Sequence, residues 1–345
     1  MIARILSRSE YALWDQLLDD SEQATFYHRS AWLQICSSFP TISYRKKELK
    51  IFGCFEKEEL VAGCAVIAFG SRFLRQAVSG EVGMSPYGGL VLRKPNTESV
   101  RKNEHRLVEI VQTLSDALRG SGLQRVRLIN HPSLTDIRPF IQNGWVPCLE
   151  YSYHLDLPEM SEDRIARDAR RAIKNATSSG IECARLNEFD IDCLHELFSM
   201  TWYRQRLAPP FGKDFIEAVF HHLGANNCGE MWVARSSGQA VASEVLIWDD
   251  RMVYRWAAAS HTNFKHTGAV TLLLWKIFND FSDRGYRTID LWAAGEPGLA
   301  EFVASFNPRL VSSFAVDRRS DRIRIVTHLH KLVREFKPQL TSDKG

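Results

Sequence analysis

No Cys-x-x-Cys pair occurs anywhere in the 345 residues, which removes the usual zinc and iron–sulfur frameworks. The seven cysteines, at positions 36, 54, 64, 148, 183, 193 and 228, are odd in number and widely spaced. That is the pattern of reduced, buried thiols and not of a disulfide scaffold. The close histidine pairs, His221–His222 and His328/His330, lack partners at zinc-like spacing, so no metal site is expected. Long apolar runs are missing too. The longest, Val61–Phe69, is interrupted by Gly63 and is too short to span a bilayer. The opening MIARILSRSEYALW carries charges throughout, with no apolar stretch of signal-peptide length. A cytoplasmic location is the expectation. Nor is there strong charge of one sign. The net charge is +3, and the excess gathers from Asp317 onward, where eight Lys/Arg face four Asp/Glu. A general nucleic-acid surface is not indicated, and DNA is not expected as a partner.

What is present is the composition of a soluble globular chain, 45% hydrophobic and 25% charged, with length enough for about two domains. Apolar periodicity and turn residues order the chain. Lys50–Phe55 and Leu60–Ala68 form a hairpin, Arg101–Leu118 a helix, Gln124–Ile129 a strand, Leu134–Gln142 a short helix and Trp145–Leu157 a long strand. Ser161 stands as the N-cap of the next helix, and further helices and strands follow.

An internal repeat organises these pieces. Residues 50–68 (KIFGCFEKEELVAGCAVIA) align without a gap on residues 230–248 (EMWVARSSGQAVASEVLIW), and 122–128 match 285–291. Two copies of hairpin, strand, helix, strand, short helix, strand indicate a tandem duplication. The expected fold is α/β: two modules, 1–158 and 159–345, each a mixed, mostly antiparallel sheet flanked by helices. The copies differ where chemistry is concerned. Gly268 has no counterpart in the first copy, and Asp290 falls on Arg127. The second module is therefore expected to hold the reactive group, and the first to shape the cleft.

The second copy contains the stretch His261–Trp292. A polar turn there opens a helix, and a helix start is a ready anion site. Lys265, His266, Gly268 and Ala269 are the candidate phosphate cradle. Asp290, at a strand end, is the candidate base or amine-orienting group; the alternative is a carboxylate that caps a backbone amide. Glu244 lies mid-strand, either as a buried acid of raised pKa or as a solvent-facing residue. Tyr87 in SPYGG, Arg204 in RQRLAPPFG and Trp292 are candidate acceptor contacts. Arg164, Arg167, Arg171 and Lys174 share one helix face, which suits a polyphosphate such as tRNA or a nucleotide-linked sugar, or simply a solvated face. Ile323–Phe336 reads as a basic amphipathic helix. Such a helix most often docks on its own domain, with contact to the inner membrane surface as the lesser alternative.

The half-plan resembles the GNAT acyltransferase fold. Lys265-His266-Thr267-Gly268-Ala269 is similar to a reduced form of that family's Arg/Gln-x-x-Gly-x-Gly/Ala turn, and Phe140–Trp145 (FIQNGW) to its late Gly-aromatic pair. Two modules in tandem are similar to the Fem-type aminoacyl transferases and the BioF2-like acetyltransferase-domain proteins. Arg170–Ala176, Thr201–Phe211, Ile289-Asp290-Leu291 and Leu299–Leu310 carry this second likeness. The resemblance implies transfer of an acyl or aminoacyl group, from acyl-CoA such as acetyl-CoA or from aminoacyl-tRNA, to an amine on a cell-envelope or nucleotide-sugar acceptor. It implies no metal and no covalent enzyme intermediate. The chain departs from its relatives at Phe302-Val303, where they commonly read Phe-Lys. That departure motivates the rival expectation, a non-catalytic binding module of envelope or polysaccharide biogenesis.

Overall fold

The structure, a computed structural model, describes residues 1–40, 46–71, 73–80, 84–95, 97–292, 294–295, 297–320 and 323. The first half runs Ile2–Ile5 (β1), Tyr11–Asp19 (α1), Ser30–Ser38 (α2), Lys47–Glu56 (β2), Glu59–Phe69 (β3), Gln76–Val78 (β4), Leu90–Leu92 (β5), Val100–Gly120 (α3), Arg125–Ile129 (β6), Arg138–Gln142 (α4) and Val146–Asp156 (β7). The second half runs Arg167–Ser178 (α5), Glu182–Arg185 (β8), Ile191–Arg204 (α6), Lys213–Asn226 (α7), Gly229–Ser236 (β9), Gln239–Trp248 (β10), Val253–Ser260 (β11), Ala269–Asp283 (α8), Thr288–Asp290 (β12), Pro297–Ala304 (α9) and Arg309–Arg319 (β13). The repeat is thus carried into space as β2–β3 and β9–β10, then α3–β6 and α8–β12.

All strands join one mixed 13-stranded sheet in the order β1-β2-β3-β4-β6-β13-β7-β12-β11-β10-β9-β8, with β5 beside β3. Its centre is an exchange. β7, the last strand of the first half, pairs with β12 of the second, and β13, the last strand of the second half, pairs with β6 of the first. The two exchanged strands run antiparallel to each other from Arg309↔His154 to Asp317↔Val146. The sequence boundary at 158/159 lies in the connection from β7 to α5, while the sheet itself runs through it. Each half places its final strand in the hydrogen-bond ladder of the other.

The core repeats this sharing. Tyr27 and Trp32 of the first half pack edge-on against Tyr254 and Trp256 of the second, with ring centroids 5.1 and 5.8 Å apart. All four side chains are buried. Such burial stabilises the fold by roughly 1.5–3 kcal/mol per large side chain. On the opposite face, Leu272, Leu273, Ile277 and Phe281 of α8 are buried, as the helical spacing of the sequence requires.

Two local expectations change, and a third falls largely outside the described residues. Ser161 closes only a turn, accepting from the Arg164 N–H, and α5 begins at Arg167. The cause is Ala166, held extended (φ −61°, ψ 153°) while its N–H donates to the Ser305 carbonyl at 2.7 Å. The strand expected over Tyr286–Trp292 shortens to Thr288–Asp290; the Leu291 N–H still donates to the Tyr153 carbonyl in register with β7, and the chain leaves the sheet at Trp292, whose φ is 49°. The amphipathic stretch Ile323–Phe336 lies outside the described residues apart from Ile323, which is buried. Among the described residues no helix is long and apolar enough to cross a membrane.

Candidate active site

β12 is only three residues long, and its neighbours define the site. It runs parallel to β11, with Asp290 opposite Tyr254, and antiparallel to β7, with Asp290 opposite His154. Along β7, Ser152 lies two residues from His154 and so on the same face. Tyr87 arrives from the first half on the loop Ser85–Gly89. That loop can press against β6 only without side chains at its end. A Cβ on Gly89 would lie 2.2 Å from Asn130 Oδ1. The same Asn130 oxygen accepts the Leu90 N–H at 2.9 Å, which fixes the loop's exit.

These elements bring Tyr87, Asp290 and Trp292 together. The Tyr87 hydroxyl donates to Asp290 Oδ2 at 2.7 Å, and the Trp292 N–H donates to Oδ1 at 2.9 Å. The Ser152 hydroxyl also donates to Oδ1. His154 Nε2 is 3.3 Å from Oδ2, a close contact that lacks the alignment of a hydrogen bond. Asp290 is 1% exposed and Tyr87 2%. Trp292, 36% exposed, has its backbone in the left-handed region at φ 49°, a conformation that costs a non-glycine residue of order 1 kcal/mol.

Burial pushes the Asp290 carboxyl upward, but His154 and the Ser152 and Tyr87 hydroxyls outweigh it, and the group sits below its ordinary value. Burial and the Asp290 charge hold the Tyr87 phenol well above its own. Asp290 is therefore a buried anion. Its neighbours are hydroxyls, one backbone N–H and one imidazole, and among the described residues neither Lys nor Arg is paired with it. A buried charge with so little opposite charge near it is costly, and it favours a cationic ligand.

The other sequence candidates lie elsewhere. Glu244 is neither solvent-facing nor free. It is buried, and Arg255 binds it through two hydrogen bonds of 2.7 and 2.6 Å. Burial raises its pKa and Arg255 opposes the rise. Arg204 reaches the end of β11, where its guanidinium is 3.4 Å from the Ser260 carbonyl, and is not placed at Tyr87. Lys265 and His266 are exposed on a 3-10 turn, Thr262–Thr267, that leads into α8, and Ala269 is the buried first residue of that helix.

Gly268 has φ 75°, and a Cβ there would lie 2.5 Å from the Ala172 carbonyl oxygen of α5. Its own face is therefore filled by α5 backbone and is not an open cradle. Gly268→Ala is expected to cost roughly 2–4 kcal/mol, from the left-handed backbone and the overpacking together, measured as a shift in the denaturant midpoint at constant slope. Arg167, Arg171 and Lys174, all on α5, are exposed beside this turn, so the basic rim of the helix start remains open.

Sequence reasoning missed His154, Ser152 and His131. The first two left a trace: in the strand segment Tyr151-Ser152-Tyr153-His154 the polar residues alternate with aromatics, the mark of one polar face on a buried strand. His131 left none. Its ring is edge-on to Tyr87 at 5.3 Å between centroids.

Residues 163–298 match the Acetyltransferase (GNAT) domain family. A search of curated proteins found no match. Among solved structures, FemX superposes with a TM-score of 0.69 at 9% identity, over 96% of this chain and 100% of that one. The C-terminal domain of a putative lysylphosphatidylglycerol synthetase from Agrobacterium fabrum gives 0.57 at 12% identity, over 94% and 96%. A tandem GNAT protein from the clavulanic acid biosynthesis pathway gives 0.53 at 10% identity, over 92% and 98%. These likenesses extend over nearly the whole of the two-part sheet described above. Residues 163–298 are similar to a GNAT acetyltransferase domain, and the chain shares the fold of FemX.

Proposed function

We propose that this protein is an N-acyltransferase that moves an acyl group from acyl-CoA to an amine held at Asp290. One observation carries the reading. β11 and β12 part immediately after the Tyr254–Asp290 pair, and among the described residues no strand pairs with Ala257–Ala259 of β11 on the side away from β10. The result is a wedge lined on one side by that strand edge, closed at Ser260 by Thr201 and Arg204, with a buried carboxylate at its apex. Ala257, Ala258 and Ala259 keep that edge narrow in side chains. An extended, amide-bearing donor suits such an edge, because it can continue the strand's hydrogen bonding. The edge leads to the turn before α8, where Lys265, His266 and Arg171 would hold the donor's phosphates. They fit at the rim, since α5 fills the face of Gly268 itself.

In this reading Asp290 binds the acceptor as an ammonium and orients it toward the thioester carbonyl. The ammonium first gives one proton to solvent, the free amine attacks, and the N–H of the resulting adduct, more acidic than that of the free ammonium, passes to the carboxylate. Tyr87 and Ser152 hold the two carboxylate oxygens in place. The thiolate leaves and takes a proton from solvent, so the products are an amide and the free thiol. Fold likeness to a lysylphosphatidylglycerol synthetase domain supports an acceptor among cell-envelope precursors, met in the cytoplasm.

The donor half of the reading is tested by calorimetric titration with acetyl-CoA, beside Lys265→Glu. Lys265 is exposed, so the exchange leaves the fold intact. Saturable binding that the substitution weakens about tenfold or more is expected, since it removes one favourable phosphate contact and adds a repulsive one. Equal binding by both proteins places the donor elsewhere. Salt-dependent tRNA binding in place of acetyl-CoA binding would shift the donor to aminoacyl-tRNA on the α5 stripe.

A second reading, a non-catalytic binding module, rests on Val303. That residue, on α9, is fully buried in the apolar cluster that includes α8, so the position presents no cation to the site. It requires that amine-dependent thiol release be absent.

A further inference from the structure

One row of residues crosses the exchanged strands on the Asp290 face of the sheet. Asp290 of β12 lies opposite His154 of β7, and His154 lies opposite Arg309 of β13. Residues directly opposite in antiparallel ladders share a face, so carboxylate, imidazole and guanidinium follow one another on one side of the sheet. Two strand spacings, roughly 10 Å, separate the backbone of Asp290 from that of Arg309. The row depends on the exchange, because β7 of the first half stands between β12 and β13 of the second. Its two ends differ in access and in charge. Asp290 is buried and anionic, whereas Arg309 is exposed, and among the described residues no carboxylate is paired with it. The other arginines on this face of β6 and β13 are held: Arg127 by Glu150, and Arg125 and Arg319 by Asp317. Between the two ends, His154 Nε2 is buried and has no aligned hydrogen-bond partner. The row thus offers a place for a cation, a polar contact and a place for an anion, in that order.

We propose that the acceptor is a zwitterion: an amine that also carries a phosphate or carboxylate, bound with its ammonium at Asp290 and its anion at Arg309. This rests on the N-acyl-transfer reading above and names the acceptor class for that site. An acceptor with one charge would leave one end of the row unmatched. The Arg309 guanidinium presents paired N–H donors that fit the oxygens of either anion. Because Arg309 lies at the surface and Asp290 inside, the anion contact decides which end of the acceptor points inward. Acylation turns the ammonium into a neutral amide. The product keeps its anion and loses its attraction to Asp290, so the site holds the substrate at two points and the product at one.

The test uses the full chain and acceptors matched in length: straight-chain ω-amino acids, ω-aminoalkyl phosphates and alkylamines, with acetyl-CoA saturating. The anionic amines are expected to exceed the matched alkylamines in kcat/KM by about tenfold or more, the worth of one charge-assisted contact. Arg309→Gln is expected to close that gap, Arg309→Lys to restore part of it and Arg309→Glu to reverse it. Arg309 is exposed, so these exchanges leave the fold intact. Equal use of anionic and neutral amines by the wild type, or a preference that survives Arg309→Gln, overturns the proposal while the amide formed keeps the N-acyl reading. The site is also read without turnover, by calorimetric titration with the anionic amines. Arg309→Gln and Asp290→Asn are each expected to weaken binding about tenfold. Tighter binding of the phosphate or of the carboxylate series identifies the anion, and either supports the proposal. Binding that depends on both residues in a chain that acylates no amine would refute the N-acyl reading and still support the two-ended site. No binding by the wild type, or equal binding by Arg309→Gln, overturns it.

Discussion

Asp290→Asn is expected to lower amine acylation by about 10²–10⁴-fold while leaving acetyl-CoA affinity unchanged. The substitution keeps the side chain's size and one acceptor oxygen; with that oxygen at the Oδ1 place, the Ser152 hydroxyl and the Trp292 N–H keep their acceptor, and the Tyr87 hydroxyl turns to accept from the new amide N–H. What disappears is the charge that would hold an ammonium and the oxygen that would take its proton. The fold should tolerate the exchange, because removing a buried anion recovers desolvation cost while weakening charge-assisted hydrogen bonds, a balance within ~2 kcal/mol either way. Its pH signature is specific. The Asp290 pKa in the folded chain is lowered below its ordinary 3.8, so the folded state binds fewer protons there than the unfolded chain. The resulting stabilisation is fully present above 3.8 and is lost as pH falls through the folded-state value. The Asn variant should lack that part of the acid limb in equilibrium unfolding. Acylation within twofold of wild type in a folded variant would remove Asp290 from the mechanism.

Glu244→Gln is expected to act on stability and not on chemistry. Glu244 and Arg255 are 1% and 7% exposed and joined by two hydrogen bonds. Neutralising one partner leaves a guanidinium buried with its charge uncompensated, at a cost of about 3–5 kcal/mol. Replacing both, as Glu244→Met with Arg255→Leu, removes both charges and should recover most of that loss. Equilibrium denaturation of the single and double variants measures this directly. A Glu244→Gln protein as stable as wild type, yet inactive, would instead mean that Glu244 takes part in the reaction.

The contrast between these two carboxylates shows what the sequence can and cannot reveal. The hairpin over 50–68, its aligned copy over 230–248 and the helix opened by the turn in His261–Trp292 depend on neighbouring residues, and the structure has β2–β3, β9–β10 and α8 there. Asp290 stood out because it ends a short apolar strand and lacks a counterpart in the first copy. Its partners were not legible. Ser152 and Tyr87 precede it by 138 and 203 residues, and they meet it only because β7 crosses into the second half's ladder. Glu244 looked equivalent in sequence, since nothing local showed that a β-bulge between Val245 and Leu246 sets the register bringing Arg255 beside it. Gly268 was legible as a glycine that a turn demands, but the backbone of α5 against it was not.

The most direct test is thiol release from acetyl-CoA by the wild-type protein, followed with a panel of primary amines that includes amino sugars and amino acids. Release that depends on the amine, saturates with it and yields the corresponding amide is the expected result, and it would establish N-acyl transfer by this fold. A folded protein that binds neither acetyl-CoA nor any amine, and releases no thiol above background, would contradict it and leave the non-catalytic module as the reading to pursue.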